Sequence, residues 1–282
     1  MRRFVPAAPL VLLAVLACRP ADKPAEAASA AAPIPNVFTV VTEEYGFKLP
    51  STSIPAGLTT IRMVNAGKEM HHIQLFRLTE GKSFADFTAV VQAGGKFPAW
   101  VVDAGGPNPS DPSLPSSSAT LRLEPGPHVL VCFIPSPDGT PHIAKGMMAS
   151  LDVVAEGAVA GEPTGDVEMV LTDYAFGLSA PLTAGRHEIH VVNQAEQPHE
   201  VVLIRLAEGA TGLSFPAWAE GGMKGPPPAT LIGGITAIAK GTGASFPADL
   251  TPGKYALICF VPDAADGKPH FVHGMVQEFT IN

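Results

Sequence analysis

Two of the three cysteines in this 282-residue chain stand in near copies of one segment. Gly126–Met148 reads GPHVLVCFIPSPDGTPHIAKGMM and Gly253–Met275 reads GKYALICFVPDAADGKPHFVHGM, each running an apolar stretch into cysteine, then histidine, then Gly-Met. Upstream, VNAGKEMHHIQLFRLTEG from Val64 aligns without a gap with VNQAEQPHEVVLIRLAEG from Val192 and sets His71 on His199. A thiolate with two imidazoles and a nearby thioether is the donor set of a mononuclear copper site, His, Cys and His in a plane with a weak axial Met. Each copy supplies one set: His71, Cys132, His142 and Met147, then His199, Cys259, His270 and Met275. Taken singly, a buried Cys or a Met after glycine is ordinary core material. Their joint recurrence at matched spacing is what favours a metal.

The elements that must position these donors also come twice. EYGFKLP near Tyr45 answers DYAFGLS near Tyr174, and FPAW occurs at Phe97–Trp100 and Phe215–Trp218, so the chain reads as a tandem duplication. Expected boundaries are residues 36–156 and 166–282, joined by GAVAGEPTG at 157–165. Short runs rich in Val, Ile, Leu and Thr, such as VFTVVT, TTIRMVN, HIQLFRL, ATLRLEPG, HVLVCFI and ASLDVV, are bounded by Gly, Pro and Asn. They predict an all-β antiparallel sandwich in each copy. SFADFTAVVQAGG departs from that pattern: Ser83 as cap, with Phe84, Phe87, Val90 and Val91 at helical spacing, predicts a short helix on a crossing loop, its aromatics packed in the core.

Residues 1–17, MRRFVPAAPLVLLAVLA, are a basic start and a short apolar run ending before Cys18, and read as a secretory signal with a lipobox-like cleavage site. The segment resembles a bacterial lipoprotein signal, which implies an acylated Cys18 and an extracytoplasmic protein held to the membrane by lipid only. Residues 18–35 are Ala, Pro and charge without apolar period, a flexible tether. In an oxidising compartment thiols are normally paired. Cys132 and Cys259, at equivalent positions of separate copies, have no partner once Cys18 carries lipid. The net charge of -8 becomes more negative when Arg2 and Arg3 leave with the signal. That balance excludes a nucleic-acid partner and points to small ligands or basic proteins.

YALIC followed by HFVHGM in the second copy resembles plastocyanin and the wider cupredoxins, whose ligand loop has Tyr, three residues, Cys, then His, three residues, Gly-Met. The first copy keeps CFI and HIAKGM, and VNAGKEMHHIQLF is similar to the family's Asn-x-Gly segment before its first ligand. This implies two tandem cupredoxin-like Greek-key domains, with His71 rather than His72 as the first ligand; Glu200 follows His199 in the second copy. The chain departs from the family in spacing. Nine residues separate Cys132 from His142 and ten separate Cys259 from His270, with Asp-Gly and Pro turns to bring the chain back. The resemblance implies copper as cofactor, a redox or copper-handling protein partner, electron transfer, and His142 and His270 as exits for the electron. A Cu(I) carrier or buffer, for which Met70, Met147 and Met148 speak, and a metal-free interaction module are the alternatives. His72, His128, His187, His190 and His273 do not recur and are expected at the surface, in packing, or for His72 and His273 beside the ligands. The absence of His-x-His pairs argues for a protein that is not an enzyme.

Overall fold

The computed structural model describes Met1 and residues 34–109 and 116–282; the signal segment, Cys18 and the tether up to residue 33 lie outside the described residues. The first repeat carries β1 (Asn36–Glu43), β2 (Gly46–Lys48), β3 (Ser53–Asn65), β4 (Gln74–Leu78), α1 (Phe84–Ala93), β5 (Val101–Gly105), β6 (Ser117–Leu123), β7 (Gly126–Val131) and β8 (Met148–Val159). The second gives the same series: β9 (Val167–Thr172), β10 (Ala175–Leu178), β11 (Gly185–Asn193), β12 (His199–Leu206), α2 (Ser214–Glu220), β13 (Ala229–Ile238), β14 (Gly243–Leu250), β15 (Gly253–Ile258) and β16 (Val276–Ile281). Alternation sets the inward faces. Phe38, Val40 and Thr42 of β1, and Val167, Met169 and Leu171 of β9, are buried while their neighbours are not. By contrast β12, at the heart of its sheet, is buried almost throughout.

In each repeat the strands form two sheets, ordered β2-β1-β3-β6 and β5-β4-β7-β8 in the first, β10-β9-β11-β14 and β13-β12-β15-β16 in the second. Within the first repeat β3 belongs to both. Its start pairs with β8 around Ser53–Pro55, its remainder with β1 and β6. The helix is as the sequence predicts: Ser83 and Asp86 form a capping box, Phe87 is buried, and Gly94 ends α1. The two FPAW segments, however, are not equivalent. Phe215–Trp218 lies within α2, whereas Phe97–Trp100 follows α1 and leads into β5. His71 and His199 are 128 residues apart but the two FPAW copies only 118, because the second repeat reaches its helix later and keeps it shorter.

The repeats join through both sheets. β6 pairs with β14 at Thr120–Ser245 and Leu121–Ala244, and β5 meets β13 at Ala104–Ile238, so edges that would otherwise template other chains cover one another. One buried cluster holds Ile61 and Leu121 together with Ile189 and Phe246, and the described residues from 34 onward belong to one compact unit. Part of the expected connecting segment is structured: β8 runs to Val159, which pairs with Gly57, and Gly161 O accepts from Arg122 Nη1 at 3.2 Å.

The seam carries a half-buried carboxyl, Asp103, whose pKa burial pushes up to about 7. It lies within electrostatic reach of Glu200, which burial raises likewise to about 7. Both keep protons in the folded state that the unfolded chain releases near pH 4. Between about pH 4 and pH 7 the native state binds more protons, so stability falls as pH rises, by at most about 1.4 kcal/mol per pH unit for each group. Asp103→Asn is expected to flatten that slope in denaturant melts of the metal-free protein; an unchanged slope would assign it to other groups.

Candidate metal centres

Three backbone features bring the donors together, and they are the same in both repeats. Cys132 follows β7 and Cys259 follows β15, each buried and free. The excursion between cysteine and later histidine closes as a small paired loop through Pro135–Pro141 and Pro262–Pro269 bridges. His142 N then donates to Ile134 O at 2.9 Å, Ile143 N to Cys132 O at 2.8 Å and Met147 N to His142 O at 3.0 Å. His270 N to Val261 O (2.9 Å), Phe271 N to Cys259 O (3.0 Å) and Met275 N to His270 O (3.0 Å) repeat the pattern. The long spacing therefore returns the histidine to the cysteine, as the turn residues require. The first histidine is set by an asparagine: Asn65 Nδ2 donates to Glu69 O and Asn193 Nδ2 to Gln197 O, both at 2.8 Å.

His71, Cys132 and His142 converge, as do His199, Cys259 and His270, with donor atoms in each triad within 4.8 Å of one another. His71 Nδ1 lies 3.1 Å from His142 Nδ1, and Cys132 Sγ 3.4 Å from His142 Nδ1. Cys259 Sγ lies 3.8 Å from His199 Nδ1 and 3.4 Å from His270 Nδ1. A planar three-donor ion with bonds like those of zinc needs N–N and N–S separations of about 3.5–3.8 Å. Small shifts suffice to meet them, and soft sulfur with two imidazoles is a set that copper suits. Met147 and Met275 are fully buried, Met147 in one cluster with Cys132 and Ile134.

Burial pushes the Cys132 thiol up to about 12 and raises that of Cys259 further, with Glu200 adding to the effect. It also lowers His71 and His270 to about 4, helped in each case by the partner histidine, and lowers His199. These three imidazoles are neutral at neutral pH, with a lone pair for a metal, while both thiols are protonated until a metal displaces the proton. Copper loading is expected to release about one thiol proton per site, so affinity rises with pH across the neutral range. Titration calorimetry in buffers of different ionisation enthalpy reads this directly; heats independent of buffer would contradict it.

Residues beside the donors were harder to foresee. His72 N and Glu200 N donate to the sulfurs of Cys132 and Cys259, both at 3.5 Å. Their side chains do equivalent work with different chemistry: His72 Nε2 accepts from Phe133 N at 2.9 Å, Glu200 Oε1 from Phe260 N at 2.8 Å. Each later histidine is lidded by a tyrosine and a carboxylate. His142 Nε2 meets Glu69 Oε2 at 2.8 Å, Tyr45 OH donates to Glu69 Oε1 at 3.1 Å, and Ser136 Oγ donates to Tyr45 OH. In the second repeat Asp263 stands at the serine's position and Gln197 at the glutamate's. Tyr174 OH donates to Asp263 Oδ2 at 2.6 Å, 3.9 Å from His270 Nε2. The carboxylate has changed places and the lid is kept. Neither later histidine reaches solvent, with 0% of each side chain exposed, so an electron leaving by His142 or His270 would pass through its lid. The recurring Tyr45 and Tyr174 were the visible signal of these lids. Of the remaining histidines, His128 is buried and bonded to Gly126 O, His187 contacts Asp166, His190 lies near Ser245, and His273 contacts Asp266.

No protein-family model and no curated protein matches this chain. Solved structures do. Auracyanin from Roseiflexus castenholzii is 20% identical, with 42% of this chain and 97% of that one covered, at a TM-score of 0.28. A blue copper oxidase from Nitrosomonas europaea is 14% identical over 88% of this chain and 86% of its own, at 0.25. A copper-containing nitrite reductase from Thermus scotoductus SA-01 is 9% identical over 88% and 62%, at 0.25. The expectation that the chain is not an enzyme is corrected here: the solved structures spanning most of it are oxidases and a reductase. Lack of His-x-His excludes one way of building a catalytic copper, not catalysis. Among the described residues no helix is long and apolar enough to cross a membrane.

Proposed function

We propose that this chain is a tandem two-domain cupredoxin-like protein that transfers electrons through two mononuclear copper sites on the outer side of a bacterial membrane, tethered by an acylated Cys18. His71, Cys132 and His142 would hold one copper and His199, Cys259 and His270 the other, with Met147 and Met275 as weak axial donors. Residues 36–156 and 166–282 are taken as the two domains, and the partner as a redox or copper-handling protein. Bound copper supplies one-electron exchange. The protein supplies the rest: buried imidazoles of fixed orientation, a sulfur held by a backbone N–H, and exclusion of water, so that little rearranges when the charge changes.

The observation that carries this reading is the convergence of Nδ1, Sγ and Nδ1 in both repeats, built by the same backbone hydrogen bonds. A visible absorption titration of the protein with Cu(II) tests it. Two equivalents of intensely coloured, reversibly reducible copper are expected, because a thiolate donates charge to Cu(II). Absence of colour with tight Cu(I) binding would replace it by the carrier reading, which one contact favours. Met70 and Met223, the latter from the second repeat, both pack against the Cys132–Ile134–Met147 cluster, a soft thioether surround. No binding of either ion would leave an interaction module.

A further inference from the structure

The two repeats touch where the first ligand segments pass the seam, and they do so reciprocally. Asn108 and Thr236 are equivalent residues, each two places beyond the second glycine of a Gly-Gly pair, Gly105–Gly106 and Gly233–Gly234. Asn108 Nδ2 donates across the seam to Val201 O at 2.7 Å and to Ile235 O at 2.9 Å. Thr236 Oγ1 donates back to Ile73 O at 3.0 Å. Ile73 and Val201 are themselves equivalent, two residues after His71 and His199. Ile73 N also donates to Pro107 O at 3.2 Å, next to Asn108.

Joined to the sulfur contacts, these bonds make a continuous chain. From Cys132 Sγ it passes through His72 N, the His72–Ile73 peptide, Pro107 O, Asn108 and its amide, Val201 and Glu200 N to Cys259 Sγ. Thr236 adds a parallel link from Ile73 to the strand that pairs with Val201. Every residue in it is buried: Asn108 and Thr236 are 1% exposed, both cysteines 0%.

We propose that this seam is an electron route between the two metal sites, so that the protein exchanges an electron internally between its halves. This rests on the copper reading above. The step is a single electron passing from the reduced copper of one repeat to the oxidised copper of the other, with no bond made or broken and no further reactant. The sites differ enough to give it direction. Lys145, whose Nζ lies 3.2 Å from Tyr45 OH in the lid of the first site, is replaced in the second by His273, an imidazole in place of a permanent ammonium. A nearby cation favours the lower-charged, reduced metal, so the electron settles on the first site.

Pulse radiolysis of the fully oxidised two-copper protein, with less than one equivalent of reductant, tests the route. The bands are assigned from the Cys132→Ser and Cys259→Ser variants. Expected is an initial bleach followed by a relaxation toward the first site, first order and independent of protein concentration. Thr236→Val, which keeps the shape and loses the donor, is expected to slow it severalfold, Thr236→Ser to restore it, and Asn108→Leu with Thr236→Val to slow it further. Asn108→Leu alone suffices if the double variant does not fold. A relaxation that scales with protein concentration, no relaxation, or equal rates in the parent and in Asn108→Leu or the double variant, with both bands intact, would overturn the route while leaving the copper reading standing. Failure of the parent to colour would instead remove that reading itself.

Discussion

Cys132→Ser is expected to abolish the visible copper band of the first repeat and leave that of the second, and Cys259→Ser to do the reverse. The argument lies in the sulfur. The band needs a thiolate bound to Cu(II), and a serine hydroxyl neither ionises in so buried a place nor donates charge of that kind. The rest of each site does not depend on the side chain. His142 and Met147 are placed by backbone bonds to Ile134 and His142, and their counterparts in the second repeat likewise, so the histidines remain where they were. The substitution leaves a small hydroxyl in an apolar place at a cost of about 1–3 kcal/mol, which a protein of this size is expected to bear. Absorbance and copper content of the two single variants and the double variant, read together, give half, half and none. Full colour in the double variant would mean that the copper sits elsewhere.

The candidate ligands were legible because duplication printed them twice. One cysteine in an apolar strand says little, but Cys132 and Cys259 with His142 and His270 behind them, and His71 aligned on His199, fix six positions at once. The strands were legible for a plainer reason: Phe38, Val40 and Thr42 are buried and alternate with neighbours that are not, so they can face only one way. Where duplication and periodicity both failed, so did the reading. The FPAW copies match in letters and not in place, since a helix that starts later in the second repeat slides the motif out of register.

The surroundings of the later histidines were hidden by exchange. Glu69 with Ser136 in the first repeat answers Gln197 with Asp263 in the second, so neither column of an alignment shows a carboxylate twice, though each site has one under its tyrosine. His72 and Glu200 are chemically unlike yet both accept the N–H that follows the cysteine. A comparison of residue types passes over equivalences that only three-dimensional hydrogen bonding displays. The seam was invisible for a similar reason: Asn108 and Thr236 share a task and no resemblance.

Gly234→Ala and Gly106→Ala are expected to be among the most damaging single-methyl changes in the chain. Both glycines have φ values that L side chains rarely adopt, 132° and 148°. A Cβ at Gly234 would stand 1.8 Å from Val201 O, and one at Gly106 2.0 Å from Ile73 O. These are backbone oxygens, they cannot rotate away, and each already accepts the hydrogen bond that ties the repeats together. Relief requires moving β13 off β12 or β5 off β4 at the register shifts beside them. Backbone strain alone costs about 1–3 kcal/mol, and the loss of the adjoining seam bonds carries the total beyond about 4 kcal/mol, in the range where a specific mechanism must be at work. Gly139→Ala is the control, because φ there is 82° but nothing lies within 4 Å of its Cβ. It carries the conformational cost without the collision, about 1–2 kcal/mol. Urea melts of the metal-free variants are expected to separate the two classes clearly. The effect on copper should be local as well, Gly234→Ala disturbing the second site through Val201 and His199 and Gly106→Ala the first through Ile73 and His71. Equal melting of Gly234→Ala and Gly139→Ala would show that the seam yields easily, and would leave the two metal sites without the rigid connection argued here.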